Sequence, residues 1–232
     1  MAPTAKLLIL LATALFYDRS LIPPTLPPSL GEQKRAETHG RHTIGWYESL
    51  AIPIAPPWMR MVYWTFTITE VIVILAGSRD TAPLHSAVTG FLGTSGAETR
   101  ITATFGFGAF LIVTGAMIRF RCFKEMGRHF TFSLSLRDGH ALITSGPYAI
   151  VRHPGYTSGH MTLWGAALTV MSKGSWWFGG GYATGWGMIL GLNFICSWCL
   201  MARSFLRGAK EDAYLKSSFG EQWRLFCDTG SV

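Results

Sequence analysis

Five apolar runs divide this chain, and the polar stretches between them differ in character. The first, residues 7–16, follows Lys6 and precedes Asp18-Arg19. Its small residues Ala12-x-Ala14 suit a signal-peptide core, but the charged segment before it is weak. The run extends as a helix to Leu21-Ile22 before Pro23-Pro24 stops it, so a retained short span is favoured. Residues 23–28 predict a rigid extended linker, and residues 31–42 a solvated loop. Pro53, Pro56 and Pro57 predict a broken segment before the next run. Residues 61–77 are apolar apart from Glu70, and neighbouring residues complete the roughly 20 that a span needs. An acid inside a span faces the protein interior and has a partner, here expected to be an Arg or His of another helix.

Residues 78–100 read as a loop. Residues 101–118 form the next span, in which Gly106-x-Gly108 and Gly115 leave room for a close neighbour. Arg119, Arg121, Lys124 and Arg128 follow and mark the cytosolic side. Arg119 and Arg121 are expected at lipid headgroups rather than in a site. Residues 155–172 and 176–201 form a helical hairpin around a tight turn at Lys173-Gly174. Trp176-Trp177 suits the membrane interface. Residues 202–226 continue as a helix outside the membrane, with Arg207, Glu211 and Leu215 on one face. These elements predict an all-α integral membrane protein of about five transmembrane helices. Residues 1–118 supply N-terminal spans and loops, and residues 119–232 supply the remaining core.

Composition agrees. Of the 232 residues, 49% are hydrophobic and only 14% charged, against about 25% in soluble domains. The formal net charge of +7 fits loops beside anionic headgroups better than nucleic-acid binding, because the basic residues are scattered. Cys196-x-x-Cys199 has metal or redox spacing, yet it lies in an apolar run without a second pair. It reads as small apolar side chains in a helix, and no metal site is expected.

The stretch 139–159 carries the candidate chemistry. Gly146-Pro147 and His153-Pro154-Gly155 force turns, and His140, Tyr148, Arg152, His153, Tyr156 and His160 surround them. By residue type alone this could equally be an interfacial loop, with Tyr at headgroups and Arg152 and His153 on phosphates. Likewise, Arg207 and Glu211 alone could be a surface ion pair.

The order His140-x-Leu142-Ile143, Ser145-Gly146-Pro147-Tyr148 and Arg152-His153-Pro154-x-Tyr156 resembles the signature of the isoprenylcysteine carboxyl methyltransferase family. Related membrane methyltransferases of phospholipids share that signature. Arg207, Glu211-Asp212, Leu215, Phe219-Gly220 and Trp223 resemble the family's C-terminal block. Upstream, Arg119 and Met126-Gly127-x-x-Phe130-Thr131 also fit, so the resemblance covers residues 119–226. Ser158 stands where the family usually has Gly, Asp212 replaces a second Glu, and Trp223 replaces a Tyr.

The resemblance implies methyl transfer from S-adenosyl-L-methionine to the C-terminal carboxylate of a prenylated cysteine. It implies a protein of the endoplasmic reticulum whose site faces the cytosol, with prenylated proteins and membrane lipids as partners and no nucleic acid. It makes residues 119–232 a methyltransferase core. Its cytosolic cofactor pocket is formed by the polar loop and the C-terminal helix. His140, Ala141, Leu142, Ile143, Tyr148, His153, Pro154, Gly155, Tyr156 and Glu211 would bind the cofactor. Arg207 would be catalytic and hold the acceptor, since a guanidinium bonds both oxygens of a carboxylate in one plane. A carboxylate with pKa roughly 3.3–3.7 is already ionised, so no general base is required. Three alternatives stand beside this. A phospholipid N-methyltransferase would want a base and a phosphate pocket. A sterol reductase normally has Asn where Gly155 stands. A non-catalytic scaffold needs no meeting of the two motif blocks.

Overall fold

The computed structural model describes residues 2–29, 31–32, 50–77, 82–93, 100–133, 139 and 141–228, and among these it is all-helical. The helices are α1 (Ala2–Ser20), α2 (Ile52–Gly77), α3 (Ala82–Leu92), α4 (Ala103–Met126), α5 (Pro154–Val170), α6 (Gly185–Phe219) and α7 (Glu221–Asp228). Among the described residues, three segments are long and apolar enough to cross a membrane: Ile52–Gly77, Ala103–His129 and Gly185–Phe219. Residues 33–49, 78–81, 94–99 and 134–138 and the expected site residue His140 lie outside the described set.

Helix α1 presents Lys6, Leu10, Thr13, Ala14 and Tyr17 as a buried stripe at helical spacing, with Leu21 buried just beyond its end. It packs on α2 and α4. Residues 21–29 form no helix, as their prolines require, and Thr25 Oγ1 donates to the Phe130 carbonyl at 2.5 Å. Contrary to the sequence expectation, Pro53, Pro56 and Pro57 lie inside α2. Pro53 lies in the first turn, where no intrahelical donor is lost, and Pro56 and Pro57 follow directly, so the missing N–H donors are confined to the start of the helix. A second correction is α3, which occupies part of the expected loop. Val88 and Leu92, four apart, turn it onto the core.

Thr102 caps α4, accepting from the Phe105 N–H at 3.2 Å. Helices α4 and α5 make the closest contact in the bundle. A Cβ on Gly108 would lie 2.8 Å from the Gly165 carbonyl oxygen, and one on Gly115 would lie 2.8 Å from that of Ser158. The glycines therefore permit backbone-to-backbone approach. Gly106 meets nothing within 4 Å and takes no part.

The hairpin differs from expectation. Its second helix begins at Gly185, not Trp176, because a run of turns through Gly179-Gly180-Gly181 intervenes. Gly180 sits at φ +125°. Trp176 is not interfacial; it is 1% exposed. Its indole Nε1–H donates to the Leu92 carbonyl at 2.8 Å, and its backbone N–H donates to Glu70. The partner of Glu70 is Lys6 of α1 rather than an Arg or His. Lys6 also donates to the Gly174 carbonyl at 2.7 Å. One buried carboxylate thus ties α1, α2 and the α5–α6 connection together. Cys196 and Cys199 are free and exposed on α6.

Candidate active site

The polar stretch folds into a short, strained path. Gly146 adopts φ +60°, which a side-chain-bearing residue would resist. It opens the 3-10 turn Gly146–Ala149, and the Ser145 hydroxyl anchors that turn by donating to Glu125 Oε2 at 2.8 Å. Pro154 is the first residue of α5, where its missing N–H is harmless. It is buried, so it supports the turn, and it does not line the cavity. His153 and Tyr156 flank it with their rings 5.5 Å apart.

The second wall comes from α6, which runs unbroken through Arg207, Glu211 and Leu215. Gly220 (φ +51°) ends it, and α7 turns back to set Trp223 and Phe226 over the cleft. The two walls are bonded. Tyr156 donates its hydroxyl to Glu211 Oε2 at 2.7 Å. His153 Nε2–H donates to Asp212 Oδ1 at 2.7 Å, a direction set by a carboxylate that can only accept. Arg152 Nη1 approaches Asp212 Oδ2 at 3.5 Å.

Between the walls lies one cleft. Ala141, Leu142, Ile143, Tyr148, His153, Gly155 and Tyr156 line one side, and Arg207, Glu211 and Leu215 the other. Phe130, Phe132, Trp223 and Phe226 add aromatic surface. Burial pushes the Tyr148 phenol above its usual range, so it remains a neutral hydroxyl. The site thus combines one carboxylate with spare acceptor capacity, several aromatic faces and more than one guanidinium.

Arg119 corrects the sequence expectation. It is not at headgroups but lines the cleft from α4. Its Nη1 donates to the Gly155 carbonyl at 2.6 Å. The signal was available: Ile112, Gly115, Ala116, Arg119 and Cys122 follow helical spacing and form the buried face of α4. Tyr214 also lines the cleft, and it falls on the Arg207–Glu211 side of α6.

With this geometry in view, comparison with known sequences is decisive for the family. The sequence profile described as phospholipid methyltransferase matches residues 103–222, more than half of the chain. The chain belongs to the phospholipid methyltransferase family. Membership makes it a methyltransferase, and its three apolar helices fit a membrane protein. It is also similar to the protein-S-isoprenylcysteine O-methyltransferase B of Arabidopsis thaliana, 37% identical over 67 residues. That match covers 28% of this chain and 33% of the relative, so the chain spans about a third of that protein's length. No solved structure matches the chain.

Proposed function

We propose that this protein uses S-adenosyl-L-methionine to methylate the C-terminal carboxylate of a prenylated cysteine. The observation that carries the proposal is the meeting of two sequence-distant polar blocks through the Tyr156–Glu211 and His153–Asp212 bonds. A scaffold would not need that convergence.

The residues suit the donor. Its adenine needs a flat apolar face, and Tyr148, Tyr156 and His153 offer rings with polar edges. Its amino and ribose groups need an acceptor, and Glu211 holds capacity beyond the bond from Tyr156. Backbone groups at 141–143 and at Gly155 supply further contacts, and Pro154 fixes the turn. His140 keeps its proposed place in this set. When bound, the donor supplies a methyl group to an already ionised acceptor. Arg207 would grip the acceptor carboxylate and hold it in line, which makes its role chiefly alignment. The aromatic lid of Trp223 and Phe226 would exclude water as charge disperses. The apolar tail would lie among the helices, open to lipid.

In this reading α1 and α5 also cross the bilayer, making five spans. Their 19 and 17 residues correspond to about 25–29 Å at 1.5 Å per residue, close to the roughly 30 Å hydrocarbon core. Arg121, Lys124 and Arg128 beside the cleft would face the cytosol by the positive-inside rule, in the endoplasmic reticulum. Residues 119–232 form the methyltransferase core. The family match favours a second reading, N-methylation of a phospholipid amine.

A methylation assay on the full chain in detergent separates them. Prenylcysteine should be methylated, its unprenylated analogue poorly, and phosphatidylethanolamine not at all. Methylation of phosphatidylethanolamine alone would replace the first reading with the second. Arg207→Ala should abolish methyl transfer while the donor still binds; lost donor binding in a folded variant would contradict the assigned role.

A further inference from the structure

Arg119 is a buried cation with no carboxylate partner among the described residues. Its side chain sits on the inward stripe of α4 and the residue is 7% exposed. Nη1 bonds the Gly155 carbonyl, and the guanidinium carbon lies 5.2 Å from the Phe132 ring and 5.8 Å from that of Phe123. Nε is buried with no hydrogen-bond partner. Among the described residues no carboxylate stands within ion-pair distance. Its titratable neighbours are Cys122, Tyr148, Tyr156 and Tyr17, all neutral when protonated. A buried charge normally needs a counter-charge. Arg119 meets none among the described residues, yet it borders the open cleft.

We propose that Arg119 is a binding residue for the carboxylate of the methyl donor's methionine portion. This rests on the donor assigned above. The wall decides which carboxylate. Arg119 is bonded to Gly155 and lies beside Tyr148 and Tyr156, the side assigned to the donor, whereas Arg207 projects from α6 on the opposite side. Two separate guanidinium sites let one cleft hold two carboxylates without setting them against each other. The charge-assisted bond forms only when the ligand arrives.

The test is binding, not turnover. S-adenosylhomocysteine carries the carboxylate; 5′-methylthioadenosine lacks the whole amino-acid portion. Equilibrium binding of both to the purified full chain is measured for wild type, Arg119→Met and Arg119→Lys. Arg119→Met should weaken S-adenosylhomocysteine by about tenfold or more, with methylthioadenosine changed less than about twofold. Arg119→Lys keeps the charge and should fall between. Equal loss for both ligands would mean a structural role and overturn the proposal, as would no loss for either. Weakened prenylcysteine binding with intact S-adenosylhomocysteine binding would overturn it in favour of the acceptor. If the wild type binds neither nucleoside, the donor assignment itself fails, a result distinct from failure at Arg119 alone.

Discussion

Two buried cations sit at opposite ends of this bundle and are held in opposite ways. Lys6, fully buried, meets the carboxylate of Glu70 and the carbonyl of Gly174. Glu70 in turn accepts from the backbone of Trp176. Every group in that cluster is matched inside the protein. At the cleft end, Arg119 has one carbonyl and two ring faces but no carboxylate among the described residues. The difference separates a charge that closes a fold from a charge that awaits a ligand. Burial alone would have ranked the two alike.

The largest effect should come from the closed end. Lys6→Met strands the Glu70 carboxylate, and breaking a buried pair typically destabilises by about 3–5 kcal/mol. The double variant K6M/E70Q leaves an acceptor for the Trp176 N–H and no stranded charge, so it should recover most of that loss. Denaturant unfolding in detergent reads both. If the double variant is as unstable as the single one, Lys6–Glu70 is not the closed unit described here.

Arg119→Met should be much milder. It loses one hydrogen bond and two ring contacts, but it also removes a buried charge that has no carboxylate among the described residues. Because these oppose, a stability within about 1 kcal/mol of wild type is expected by the same unfolding measurement. A loss as large as that of Lys6→Met would place Arg119 with the structural cations and erase the contrast.

The sequence made much of this visible. Three long apolar runs became α2, α4 and α6. The i, i+4, i+8 spacing of Arg207, Glu211 and Leu215 put all three on the cleft. What could not be read depends on partners far along the chain. Trp176 has the sequence of an interfacial residue, and partners 84 and 106 positions away, the Leu92 carbonyl and the Glu70 carboxylate, explain its burial. Lys6 reads as a flank of the first run because nothing local announces Glu70. Arg119 heads a basic cluster whose charge argues for headgroups, although its buried face is legible in the spacing from Ile112. Val88 and Leu92 carried helical spacing in α3, masked by the polar residues around them.

The mildest perturbation probes Arg119 without touching it. Gly159, beside Ser158 on α5, faces the guanidinium: a Cβ there would lie 3.0 Å from Arg119 Nη1 and would also meet the end of the Met201 side chain. Met is unbranched and can swing aside, but Nη1 is fixed by its bond to Gly155 and must shift by a few tenths of an ångström. Gly159→Ala therefore strains the cleft end while leaving the Lys6–Glu70 end alone. Ala is also the better helix former, which offsets the crowding by about 0.5–1 kcal/mol. Unfolding should scarcely move, whereas S-adenosylhomocysteine should bind roughly threefold more weakly, about 0.6 kcal/mol. Methylthioadenosine, lacking the carboxylate, should be indifferent. Were both nucleosides weakened equally, the methyl would be reshaping the cleft as a whole, and the distinction between its two guanidinium sites would lose its support.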